Sequence, residues 1–172
     1  MQLAKFFLLL FYLFFSIQVV GQKNDNPEEL GKIVFEALVK KDSVLFEKAK
    51  ATKSELSFAF HKMMKKLNKE VDEKEIEKVY SMYSEKIALS FIETIKDGEN
   101  EGIIWSEIAY SKTVFNERSD SDPELIEIGK THLEIEYNGK TYIVKIGDSI
   151  KLNGNWTIED TIHWNGEKHK DD

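Results

Sequence analysis

His132-Leu133-Glu134-Ile135-Glu136-Tyr137-Asn138-Gly139-Lys140-Thr141-Tyr142-Ile143-Val144-Lys145-Ile146 reads as two alternating runs around an Asn-Gly dipeptide. Alternation with period two is the pattern of a half-buried strand. Asn-Gly suits a two-residue type I′ turn, in which both central residues take positive φ. Such a turn fixes the register. Ile135 then opposes Tyr142 and Leu133 opposes Val144 on one face, while Glu134 opposes Ile143 and His132 opposes Lys145 on the other. The first face is expected inside, under the fourth helix, and Glu134, Glu136 and Lys145 are expected in water.

A second Asn-Gly, Asn153-Gly154, joins Ser149 to Leu152 with a last strand in which Trp156, Ile158, Ile162 and Trp164 share one parity. Upstream, past a loop over Asn116 to Glu124, a long strand is expected after Gly102. Ile104, Ile108, Tyr110 and Val114 lie on one side of it, with Trp105, Glu107 and Lys112 opposite. Before Gly102 the apolar period is that of helices. Asn26-Pro27-Glu28-Glu29 starts the first helix, which carries the stripe Leu30, Ile33, Val34, Ala37 and Leu38. Asp42 caps a short second helix burying Val44, Leu45 and Ala49. Thr52-Lys53-Ser54-Glu55 is a capping box for a third, with Leu56, Phe60, Met63, Met64 and Leu67 inward. Asp72 opens a long fourth helix through Ile76, Val79, Tyr80, Tyr83, Ile87, Phe91 and Ile95, stopping at Asp97-Gly98. Helices followed by a meandering antiparallel sheet give an α+β fold with the N-terminal helices on one sheet face.

Lys5 precedes an apolar run, Phe6 to Phe15, too short to span a bilayer comfortably, and Val19-Val20-Gly21 resembles a signal-peptidase site. The expected organisation is a signal peptide over 1–21, a disordered 22–26, one α+β domain over 27–164 and a disordered tail over 165–172. The mature protein is expected to be periplasmic or secreted, with no stable membrane anchor after cleavage. The absence of cysteine excludes a cysteine-lipidated anchor, a disulfide framework and thiolate chemistry. A net charge of −7 argues against nucleic acid as partner.

The order of helices then antiparallel strands, closing on Asn153-Gly154-Asn155-Trp156-Thr157-Ile158, resembles the NTF2-like, cystatin-like superfamily over most of residues 27–164. Lys40-Lys41-Asp42-Ser43, between two short helices, is similar to opening segments of its secreted members. The resemblance implies a cone in which a curved sheet wraps a long helix and leaves a pocket. Enzymes of the superfamily place an Asp or His in that cone, often with a tyrosine, and many other members only bind.

Asp160 shares the parity of Trp156, Ile158, Ile162 and Trp164, so a continuous strand would bury its carboxylate and raise its pKa toward that of a base. A bulge at Glu159-Asp160 would turn it to water instead. Tyr80, Tyr83, Tyr110, Tyr137 and Tyr142 fall on inward stripes and, with Trp156 or Trp164, could line a pocket for a small apolar ligand or form an ordinary aromatic core. The ligand-binding candidates are Tyr80, Tyr83, Tyr110, Tyr142 and Trp156. His61 and His163 read as surface residues. Asp120-Ser121-Asp122-Pro123-Glu124 lacks the glycine and distal glutamate of a calcium loop, and Lys62, Lys65, Lys66 and Lys69 read as a solvated face. Asn155-Trp156-Thr157 fits the N-glycosylation pattern, and Asp42-Ser43-Val44, Asp148-Ser149-Ile150 and Asp160-Thr161-Ile162 resemble tripeptides that some bacteria O-glycosylate. No phosphate loop, metal-binding histidine pair or nucleophile elbow is present in the sequence, so no metal or cofactor is expected. The expected function is a non-catalytic small-ligand-binding module. The alternatives are a partner-binding envelope protein, with homodimerisation open, and an isomerase-like or hydratase-like enzyme with a buried carboxylate.

Overall fold

The computed structural model describes residues 24–119, 121 and 126–169. The expected leader, and the acidic run at 120–124 apart from Ser121, lie outside them. Helix α1 spans Pro27–Lys40, capped by Asn26, whose side chain accepts the Glu29 N–H, and closed by Lys41 in the left-handed region. Helix α2, Ser43–Phe46, is capped by Asp42 and runs into a 3-10 turn at Glu47–Ala49. Helix α3 is Lys53–Lys66 and helix α4 is Glu73–Asn100, two residues past the expected stop.

The sheet has five antiparallel strands: β1 (Ala109–Glu117), β2 (Glu127–Tyr137), β3 (Lys140–Leu152), β4 (Asn155–Ile158) and β5 (His163–Glu167). They run in the order β1-β2-β3-β4, and β5 also pairs with β3. Asn138 and Gly139 have φ of 51° and 75°, as a type I′ turn requires. The register is the expected one, with Ile135 opposite Tyr142 and Leu133 opposite Val144. Asn153 and Gly154, at 52° and 81°, repeat the turn between β3 and β4.

The expected last strand is divided. A bend at Glu159-Asp160 separates β4, on the C-terminal half of β3, from β5, on its N-terminal half. Across from the bend, Ile146-Gly147 forms a bulge against β2, with Gly147 at φ 71°. A Cβ on Gly147 would stand 2.7 Å from the Thr161 carbonyl oxygen, so the crossing segment needs a glycine there. Bulges of this kind bend a strand, and here they accompany the curvature of the sheet.

Helices and sheet enclose one main core. Leu133, Ile135, Val144, Ile146, Ile158 and Ile162 meet Leu30, Val34 and Leu38 of α1 and Ile87 and Phe91 of α4. Helix α1, not α4, lies over β1 and β2, and α4 lies against β5. The close approach of α1 depends on Gly31, where a Cβ would stand 1.9 Å from the Thr113 hydroxyl oxygen.

Several expectations are corrected. In α2 it is Phe46 that is buried, stacked on Phe91 at 4.3 Å, while Val44 is 76% exposed. No strand starts at Gly102: Trp105–Glu107 is a 3-10 turn that buries Trp105 completely and leaves Ile104 exposed. In α3, Met63 and Leu67 are exposed and Ala59 is the buried residue. Glu134, expected in water, is 5% exposed. Of the segments expected to be loose, the described residues 24–26 and 165–169 include several that are tied to the fold. The Asn24 side-chain amide donates to the Lys48 and Trp156 carbonyls, β5 reaches Glu167, and Lys168 pairs with Glu134.

Candidate functional site

The cone expected between sheet and α4 is filled. Phe46, Phe91, Ile87 and Trp105 occupy it, with Trp105 edge-on to Trp164 at 5.6 Å. Open space lies instead to one side, beneath α3, as a cavity of about 270 Å³. Its roof is Leu56, Ala59, Phe60 and Met63 of α3, its wall is Val79 and Tyr83 of α4, and its floor is Ile150, Leu152 and Ile158 of β3 and β4. Beneath α3 the buried side chains form a small cluster of their own, Ala51, Ala59, Ile150 and Leu152, separate from the main core.

Polar groups around the cavity are nearly all committed. The Tyr83 hydroxyl donates to the Ile158 carbonyl at 2.7 Å and accepts the Ala51 N–H at 2.8 Å. Burial pushes its pKa well above the ordinary tyrosine value despite the opposing Ala51 bond, so at neutral pH it is a fixed donor. The Thr157 hydroxyl is within hydrogen-bond distance of the Ile150 carbonyl. Behind the wall, Lys50 is buried, its ammonium held by Glu47 at 2.8 Å and the Ser84 hydroxyl at 2.8 Å. Its backbone bridges Ile158.

Glu159 is the exception. It lines the cavity just after β4, with its backbone N–H bonded to the Asp148 carbonyl at 2.9 Å. Its carboxylate makes no hydrogen bond or ion pair among the described residues, since Arg118 pairs with Asp148 and Lys86 with Asp160. The residue is exposed, yet partial desolvation of its carboxylate at the cavity edge, then the Asp148 charge, raise its pKa above the usual carboxylate value, with Arg118 opposing and Asp160 reinforcing.

The sequence candidates do not converge. Tyr83 alone of the five lines the cavity. Tyr80 packs beside it at 6.3 Å between ring centroids. Tyr110 sits edge-on to Phe35 of α1, Tyr142 stacks on Trp164, and Trp156 meets Phe115 edge-on. Tyr137, on the same inward stripe as Ile135, belongs to the main core. Asp160 faces solvent at the bend, paired with Lys86, as the bulge alternative required. His163 and His61 are exposed, His61 lying 3.3 Å from Glu73. The Asn155 amide donates to Glu55 at 3.0 Å and accepts the Asn24 N–H at 2.7 Å, and Thr157 is buried, so that sequon is built into the fold.

Glu159 was missed because its parity points it outward from a regular strand. The one local signal was its position beside the suspected bulge. Among the described residues there is no group of three metal-ligating side chains and no helix long and apolar enough to cross a membrane. No protein-family model, curated protein or solved structure matches the chain.

Proposed function

We propose that the protein is a secreted or periplasmic binding module of NTF2-like type, non-catalytic, that holds a small apolar ligand in the cavity beneath α3. The observation that carries this reading is the lining. Apolar side chains of α3, α4, β3 and β4 converge on one space, and the Tyr83 and Thr157 hydroxyls there are spent on the backbone. Ligand sites are concave and mostly apolar, and about 300 Å³ is the lower end of their usual volume. The ligand is therefore smaller than a typical drug.

An enzymatic reading has less support, because Asp160 is outside and the Tyr83 hydroxyl is not free to exchange a proton with a substrate. A partner-binding reading is favoured by one observation, the exposure of Met82, Leu89 and Ile92 on the outer side of α4.

The test is native mass spectrometry of protein purified from its own host, beside the variant Ala59→Phe, which puts a ring into the cavity. A small molecule retained by the parent and lost from a variant that still melts cooperatively is the expected result. A molecule retained equally by both places the ligand elsewhere and overturns the reading.

A further inference from the structure

We infer that the outer face of α4 docks a second copy of this chain, helix against helix and antiparallel, about a twofold axis beside Glu85-Lys86. Met82, Leu89 and Ile92 line no part of the cavity beneath α3, so this face stands apart from the ligand reading. Helix α4 buries Ile76, Ile87, Phe91 and Thr94 on its inner side. Its other side carries Met82, Leu89 and Ile92, each more than half exposed, with Val79 partly exposed beside them. Met82 and Leu89 are seven residues apart and stand two turns apart on one line of the helix. Glu75, Lys78, Glu85, Lys86, Glu93 and Lys96 border that line, all exposed. Lys86 pairs with Asp160, but the side chains of the other five make no ion pair or hydrogen bond among the described residues. An apolar line rimmed by unmatched charges has the anatomy of an interface.

The order of these charges identifies the occupant, because it is its own complement. About a twofold axis between Glu85 and Lys86, each residue lies level with the one equally far beyond that point in the second copy. Met82 then faces Leu89, Glu75 faces Lys96, Lys78 faces Glu93 and Glu85 faces Lys86, while Val79 and Ile92 close the flanks. At about 100° per residue the two members of each pair fall on opposite sides of the Met82–Leu89 line, as facing positions of an antiparallel helix pair do. Each contact is made twice, as in any isologous interface. A parallel pair would instead set Lys78 against Lys78 and Glu85 against Glu85, and like charges across an interface repel. Three acids and three lysines balance along the face, so neither a strongly acidic nor a strongly basic partner is matched by it. In a chain of net charge −7, such a locally neutral patch is also where two copies repel least. The apolar line is short, so the interface is small and of the kind that weak complexes use.

Sedimentation equilibrium of protein purified from its own host, from about 10 μM to about 1 mM to bracket weak association, is expected to show monomer and dimer in exchange. Leu89→Glu sets an acid against Met82 of the second copy and should leave monomer alone. Lys78→Glu and Glu93→Lys each turn two attractive pairs into two repulsive ones and should weaken association about tenfold. The double variant Lys78→Glu with Glu93→Lys re-forms both pairs with the signs exchanged and should associate like the parent. Lys78 and Glu93 are about 22 Å apart along one helix, so that rescue can come only from the second copy. All these positions are exposed, and thermal melts matching the parent should show that each variant folds. A parent that stays monomeric throughout, association indifferent to Leu89→Glu or to the single reversals, or a double variant no stronger than either single one overturns the assignment.

Discussion

Glu134 shows what one charged side chain does on a sheet face that alternation assigns to water. It is buried beside Lys112 at 3.4 Å, Lys168 at 2.9 Å and His132 at 3.6 Å, and Lys168 is held in reach by its N–H, which extends the β5 ladder to the Thr141 carbonyl. Burial pushes its pKa up, yet the Lys168 and Lys112 ammonium groups outweigh burial and hold it below the usual carboxylate value. A folded-state pKa below the unfolded one contributes stability that is present above the unfolded value and is lost as pH falls through the folded value. Replacing Glu134 by Gln should therefore cost about 1–3 kcal/mol at pH 7. The lower end is expected, since both lysines are partly open to water. Urea titrations at pH 7 and pH 3 should show the gap between parent and variant closing at the lower pH. A gap as large at pH 3 would mean that the charge is not what matters. Gly98 makes a steric case of the same kind. A Cβ there would stand 2.4 Å from the buried Trp105 ring, so Gly98→Ala should lower the melting temperature, with overpacking of about 1–3 kcal/mol exceeding a helix-propensity gain of about 0.5–1 kcal/mol.

Among the elements, the β2–β3 hairpin was the most legible, because turn chemistry and both flanking alternations specify one register. Val144→Asp should bury an unpaired carboxylate in the main core and unfold the domain or cost several kcal/mol. Lys145→Asp, on an exposed position, should change stability by about half a kcal/mol at most. Thermal melts of both variants check this, and the reverse order would put the core on the other parity. Capped helices were legible for the same local reason: Asn26, Asp42, Thr52 and Asp72 each cap the helix they were expected to. Short irregular pieces were not. Phe46 and Trp105 sit in a one-turn helix and a 3-10 turn, where neither period applies, and these two rings help Phe91 and Ile87 to fill the cone. The cavity was invisible for a related reason, since it depends on how far α3 stands from the sheet and no pattern along the chain encodes that distance.

Stability is unevenly distributed across the whole molecule, and the cavity beneath α3 sits at its weak end. Leu133, Ile135, Val144 and Ile146 are fully buried in the main core, which α1 and α4 help to close. By contrast α3 buries only Ala59, leaving Phe58 57% exposed, and the Leu67 that follows it is 55% exposed. Besides Ala59, α3 is held by the half-buried Leu56 and by peripheral polar contacts that include the Thr52–Glu55 capping box, the Lys53–Glu77 ion pair, the His61–Glu73 contact and the Asn155 bond to Glu55. Exposed ion pairs contribute about 0–1 kcal/mol each, so opening α3 should need far less free energy than unfolding the sheet. Native-state hydrogen exchange should then show Phe60 to Lys66 amides exchanging through a local opening that denaturant hardly affects. Amides of Leu133, Ile135 and Val144 should exchange only through global unfolding. Opening α3 would lift Leu56, Phe60 and Met63 off the cavity, which gives a ligand a route in without disturbing the main core. A ligand bound there should slow α3 exchange selectively, because it binds the closed form and shifts the local equilibrium toward it. Equal protection of α3 and β2–β3 without ligand would show instead that the helix opens only when the whole domain does.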